Sequence, residues 1–279
     1  MTYRVHIAVD KLVPFFDCYL ISRLAWHWRR AGHSVTAGPV QDIDPGIDLA
    51  LLHIDRTRIV PGSVPGNPAG RPFLNSRVLD ISKHLFSSLR VLPGDPWKGS
   101  VIVKSNLNAF GIQERADQEP GFFERKRRKL ARRHWRLARC LPPRNYPVLP
   151  SISAVPGWVW RHPDLLVERF TPERRDGLYC LHGWVFFGKR GYTYRMYSTD
   201  PVVKAGSIVK DEFLGDPPPE LEAFREANGW DFGKFDYVEV DGRPILLDIN
   251  KTPTTTGGPD TPRMRDLAMA LEDILGGAR

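Results

Sequence analysis

The chain has 279 residues, 42% hydrophobic and 26% charged, an ordinary globular composition with room for one large domain or two small ones. No apolar run approaches the roughly 18 residues needed to span a bilayer, and the start, MTYRVHIAVD, enters a strand pattern rather than a signal peptide. The formal net charge is +8, from 40 basic and 32 acidic residues, and residues 122–140 carry that whole excess with nine Lys/Arg against Glu124. Cys18, Cys140 and Cys180 lie far apart without a CxxC pair. Their spacing argues against a disulfide framework or zinc site and fits a reducing, cytoplasmic setting.

In chain order, RVHIAVD at 4–10 predicts a strand. FFDCYLISRLAWHWRRAG places Phe16, Leu20, Leu24 and Trp28 at helical spacing and ends at Gly32, a natural C-cap. SVTAG and DLALLHID then predict two more strands, so residues 1–75 form a small α/β domain. No GxGxxG follows the first strand, so no dinucleotide site is indicated. IVPGSVPGNPAGRP at 59–72 predicts a loop or domain boundary. LNSRVLDISKHLFSSL predicts a helix, and SVIVKSNLNAFG a buried strand running into a polar, Gly-terminated loop. The basic segment 122–140 has Leu130, Leu137 and Leu141 near one face and predicts an amphipathic helix. PDLLVERF predicts a strand, GLYCLHGWVFFGKRGYTYRMYS two or three aromatic-rich strands, and PPPELEAFREANG a helix. FDYVEVDGRPILLDINKTP at 235–253 predicts a hairpin, and PRMRDLAMALEDILGG a closing helix.

The hairpin carries the chemistry. Asp248 and Asn250 are two apart on one strand and share a face. Asp236 is on the partner strand, and its face depends on the turn. A two-residue Asp-Gly loop in regular register sends it to the opposite face. An odd loop, Val240-Asp241-Gly242, aligns all three polar groups and places Lys234 beside them to meet a phosphate. Burying carboxylates separately is costly, which favours the odd loop. Together they form a hard-oxygen set suited to Mg²⁺ or Mn²⁺; alone, each acid also reads as a solvated strand end. Lys104, at the end of VIVK, can present a point charge to a phosphate, with Asn106, Asn108 and Gly111 in the loop behind it. Glu168 follows an apolar strand and precedes Phe170, a placement that can offer a carboxylate and backbone groups to a nucleoside or stand as a plain edge-strand charge.

Taken in order, a strand-Lys-Gly loop, a strand-Glu-Phe segment and a D…DxN hairpin followed by KTPTTTGG resemble the ATP-grasp superfamily over the whole chain. The resemblance implies an α/β fold of the α+β kind. A small N-terminal α/β domain (1–75) would precede a lid-like part (76–170) with Lys104 and the basic helix, then a C-terminal part (171–279) with the metal hairpin. It implies that Lys104 holds ATP phosphates, that Glu168, Arg169 and Phe170 contact the adenine, and that Glu173 or Asp176 meets the ribose. It implies Asp236, Asp248 and Asn250 as the metal ligands and loosely matches Lys83 to a second nucleotide-proximal lysine. Asp248 stands where the family more often has Glu, and SNLNAFG is not the family's usual doubled-glycine loop.

The expected activity is an ATP- and Mg²⁺-dependent ligase that activates a small-molecule or peptide carboxylate as an acyl phosphate for capture by an amine or thiol. A small-molecule kinase is the alternative on the same scaffold. Lys234 and Arg195 are the expected catalytic charges, with Arg195 holding a carboxylate and Lys204 a phosphate; strand-edge charges read the same. TPTTTGG suits an anion-binding loop or a simple turn. The basic segment reads as a solvated face, as a dock for an acidic protein, peptide or RNA, or as a nucleic-acid module that makes the chain non-enzymatic.

Overall fold

The computed structural model describes residues 1–10, 16–60, 62–64, 70–115 and 121–276, with backbone alone for Phe16 and Ala205. Positions 61 and 65–69 of the expected Pro/Gly loop, and the side chain of Phe16 in the first helical stripe, lie outside them. Strands β1 (Arg4–Val9), β2 (Ser34–Pro39), β3 (Leu49–Leu52) and β4 (Phe73–Leu74) form a parallel sheet in the order β2-β1-β3-β4. β1 is buried from Val5 onward and β3 throughout, as expected of parallel strands covered on both faces. Helix α1 (Leu20–Arg30) crosses from β1 to β2 and buries Leu20, Ile21, Leu24, Ala25 and Trp28. Gly32 follows at φ 89°, the left-handed stop its position predicts.

Segment 74–89 is not the expected helix. Its apolar residues do recur at near-helical intervals, but Asn75 sits at φ 55° and the chain then runs extended beside residues 57–59. Ile59 N–H donates to Leu79 O at 2.7 Å and Ile81 N–H to Thr57 O at 2.9 Å. The Asp80 carboxylate accepts from Ser82 N–H at 2.8 Å, a local bond that competes with helix. A single 3₁₀ turn, Lys83–Leu85, is all the helix that remains.

The central part is an antiparallel sheet, β5 (Val101–Ser105) between β6 (Val148–Leu149) and β7 (Leu165–Arg169). Helices α2 (Phe122–Ala138) and α3 (Gly157–Trp160) belong to it, around a core that includes Val101, Val103, Val159 and Val167. The C-terminal part is a larger antiparallel sheet. β8 (Glu173–Arg175) pairs with β9 (Leu178–Phe187), and the path runs from β11 (Ile208–Phe213) through β10 (Arg190–Ser198), β9 and β12 (Phe232–Val240) to β13 (Arg243–Asn250). α4 (Pro219–Ala227) and α5 (Pro262–Gly276) cover it. α5 lies on α1, where Trp28 Nε1–H donates to Ala268 O at 2.9 Å. One apolar cluster therefore includes Ile7 and Leu24 from the first sheet with Phe187, Phe232 and Leu271 from the last. Among the described residues no helix is long and apolar enough to cross a membrane.

Candidate functional site

β12 and β13 meet at a two-residue turn. Val240 pairs with Arg243, and Asp241 and Gly242 have φ 52° and 74°, the left-handed pair that a tight Asp-Gly hairpin needs. The expected three-residue loop is absent. Its purpose is met another way: the register shifts between Asp236 and Tyr237, so Tyr237 pairs with Leu246 and Asp236 with Asp248. Leu247 is the extra, bulged residue. A bulge moves everything beyond it by one position and exchanges the faces. Asp236 and Asp248 thus stand directly across from each other, as do Lys234 and Asn250.

A cleft lies between this hairpin and the β5–β7 sheet. Its lining includes Lys83, Lys104, Glu168, Asp236 and Asp248, with Tyr146 as a further polar wall. Two ion pairs organise it. Lys104 Nζ is 2.7 Å from Glu168 Oε2, with exposures of 9% and 1%, and also donates to the carbonyl of bulged Leu247 at 3.4 Å. Lys83 Nζ is 2.9 Å from Asp248 Oδ1. A third lysine, Lys234, lies 2.9 Å from Asp236 Oδ1. Burial pushes the Asp236 carboxyl above its usual range, with Lys234 pulling it back and Asp248 adding to the rise. Tyr146 is likewise driven up by burial, with Asp248 and Glu168 both contributing.

Two polar groups at the other end of the cleft lack partners. Glu168 Oε1 and Thr171 Oγ1 are buried with no hydrogen bond to any described residue. Such orphans are rare unless a ligand or water meets them. Arg169 and Phe170 line the same end, but their N–H groups are already engaged, to Leu89 O at 2.8 Å and Ser100 O at 2.9 Å. Asn250 sits in the hairpin row, and its Oδ1 accepts from Thr252 N–H at 2.8 Å, with Thr252 Oγ1 3.3 Å away. It therefore shapes the exit turn with one acceptor.

No family model matches the sequence, and no curated protein matches it. Solved structures do. The ATP-grasp ligase PsnB, complexed with a minimal precursor, is 10% identical with a TM-score of 0.55, over 100% of this chain and 99% of that one. The chain has the ATP-grasp fold. Macrocyclase MdnC from Microcystis aeruginosa, bound with precursor peptide MdnA, gives 10% identity and a TM-score of 0.54, over 98% of this chain and 99% of that one.

Four of the expected residues neither line the cleft nor share the Asp236–Asp248 row. Arg195 pairs with His182, one row away from the line Asp236–Gly183–Tyr194, so it points to the other face of the sheet. There Arg195 Nε lies 3.3 Å from His182 Nε2, and its Nη1 donates to Glu212 at 2.9 Å. Glu173 belongs to that same buried cluster, 2.9 Å from His182 Nε2. Burial opposes its charge, yet the bonds from His182 and Glu239 N–H hold its pKa below the usual range. Asp176, at φ 53° beside Gly177 at 80°, is a turn residue between β8 and β9. Lys204 is exposed and donates to Asn145 Oδ1 at 2.7 Å. The TPTTTGG loop ties itself to segments beside the first sheet: Thr252 Oγ1–H donates to Asp55 at 2.8 Å, and Thr255 N–H to Cys18 O at 2.9 Å.

Three residues beside the site escape the sequence reading. Tyr194 shares the row of Asp236 across Gly183, where a Cβ would collide with the Tyr194 ring; Gly183 is the signal that could have found it. Tyr146 and Thr171 carry no motif, because they reach the cleft only through packing.

Proposed function

We propose that the chain is an ATP- and Mg²⁺-dependent ligase that activates a carboxylate as an acyl phosphate for capture by an amine or thiol. The observation that carries this reading is the cross-strand pair Asp236–Asp248, facing one cleft with Lys83, Lys104 and the unpartnered Glu168 Oε1 and Thr171 Oγ1. PsnB and MdnC, whose fold the chain shares, are a ligase and a macrocyclase seen with precursors.

In this reading Asp236 and Asp248 hold the divalent cation. The fit is chemical: two hard-oxygen donors on one face, one of them half-buried and pushed toward protonation by its burial and, less, by its neighbour, form a set that a cation relieves. Asn250 supports them from the next position. The cation, when bound, neutralises phosphate charge. Lys83 and Lys104 supply fixed positive charge, which a protein uses to position and stabilise a transferring phosphoryl group. Lys234 keeps its ammonium against Asp236, and Glu168, Phe170 and Thr171 receive the nucleoside.

The test is ATP binding by calorimetry with and without Mg²⁺, on the protein and on Asp248→Asn and Lys104→Met. Each substitution is expected to weaken Mg-ATP binding by about tenfold or more. Unchanged affinity in both variants, with circular dichroism preserved, rejects the reading. Release of free phosphate on addition of carboxylate and amine separates ligase from kinase, in which the phosphoryl group stays on the acceptor.

A further inference from the structure

The positive charge of the chain is not a smooth coat on a helix. One face of α2, the Asn108–Arg115 turn, the Arg139–Arg144 loop and residues 158–165 enclose a groove of about 590 Å³. Arg115, Arg127, Arg128, Arg139 and Arg144 line it, with Glu124 and Asp164 as its acids. Glu124 is consumed internally, 2.9 Å from both Arg127 and Arg128. Arg115, Arg139 and Arg144 have no acid partner among the described residues. Three guanidiniums lining one groove, none paired with an acid among the described residues, form a candidate anion site, and their planar forks match carboxylates two bonds at a time.

Two further features select the anion. The walls between the arginines are apolar, from Phe110, Ile112, Leu141 and Trp158, as suits a chain of alternating charged and uncharged side chains. The groove also shares a wall with the cleft. Phe110 of the groove stacks on Tyr146 of the cleft with ring centroids 4.3 Å apart, and groove residue Ser105 follows Lys104 directly.

We infer that this groove docks an acidic peptide segment, the carboxylate substrate of the reaction. The identity of the ligand rests on the ligase reading; the docking is measured without ATP. Arg115, Arg139 and Arg144 hold side-chain carboxylates of the peptide, and Phe110 and Trp158 take its uncharged side chains. A further carboxylate of the same chain then reaches the cleft past the Phe110–Tyr146 wall.

Fluorescence anisotropy with the full chain tests this, using a labelled oligoglutamate peptide, its oligoglutamine counterpart and a single-stranded RNA of equal length. The protein is expected to bind oligoglutamate and not oligoglutamine. Arg139→Gln/Arg144→Gln is expected to weaken oligoglutamate binding about tenfold or more. Arg125→Gln/Arg133→Gln, which removes equal charge from α2 outside the groove, is expected to change it less than about threefold. Arg115→Gln/Arg127→Gln is a second groove variant should the first fail to fold. Equal losses from groove and control variants, tighter binding of RNA, or no binding of oligoglutamate overturns the proposal. ATP affinity measured on the same variants keeps the two readings apart. If ATP does not bind but oligoglutamate binding falls as expected, the groove stands and the ligase reading falls.

Discussion

Lys83 and Asp248 are unequal partners, with side chains 2% and 37% exposed. Removing the acid strands a buried ammonium, whereas removing the lysine leaves a carboxylate that water can reach. Asp248→Ala is therefore expected to cost about 3 kcal/mol in urea denaturation, and Lys83→Met clearly less. The double variant should recover part of the loss, because the stranded charge is gone. His53 gives a second residue-scale expectation. Burial drives its pKa down to about 3, against about 6.5 unfolded. The unfolded chain binds the extra proton as pH falls below 6.5, so His53 weakens folding progressively between pH 6.5 and 3, by about 2 kcal/mol at pH 5. His53→Asn should flatten the fall in melting temperature between pH 7 and 5. The acids and lysines of the site were legible because a carboxylate or ammonium inside an apolar strand needs a reason. Arg195 was misleading for the same cause: it too is a charge inside a strand, and only the row it occupies shows that its partners are Glu212 and His182.

At the scale of elements, the hairpin shows how one requirement can have two solutions. The demand that Asp236 and Asp248 share a face was readable from the cost of burying them apart. The device was not, because a bulge at Leu247 leaves no mark in an apolar run, while Asp-Gly marks a turn openly. Deleting Leu247 is expected to remove the bulge while leaving Asp236 directly across from Asp248, so that Mg-dependent ATP binding in calorimetry and the circular dichroism of the sheet both persist. Segment 74–89 failed in the other direction. Its period suggested a helix, but local bonds from Asp80 and the left-handed Asn75 outcompeted it. That extended course is what delivers Lys83 to Asp248.

At the scale of the molecule, the first and last sheets share one apolar cluster, and Asn75 ties them. Its Oδ1 accepts from Asp231 N–H at 2.9 Å and Phe232 N–H at 3.1 Å, and its Nδ2 donates to Phe232 O at 2.8 Å. Asn75→Ala leaves these buried groups unpaired and is expected to cost about 3 kcal/mol or more in denaturant unfolding. Hydrogen exchange should find β1, β9 and β12 protected together to the level of global unfolding. The β5–β7 sheet, with its own core, should open at lower free energy and gain protection when Mg-ATP is added. What the sequence determined by itself was the set of elements with strong period or punctuation, and the identity of the charged groups too costly to bury idly. The tertiary structure alone decided which of those charges meet. Strand parity, a silent bulge and the packing of distant loops are set by contacts between residues far apart in the chain. Local sequence carries the price of a buried charge but not the address of its partner.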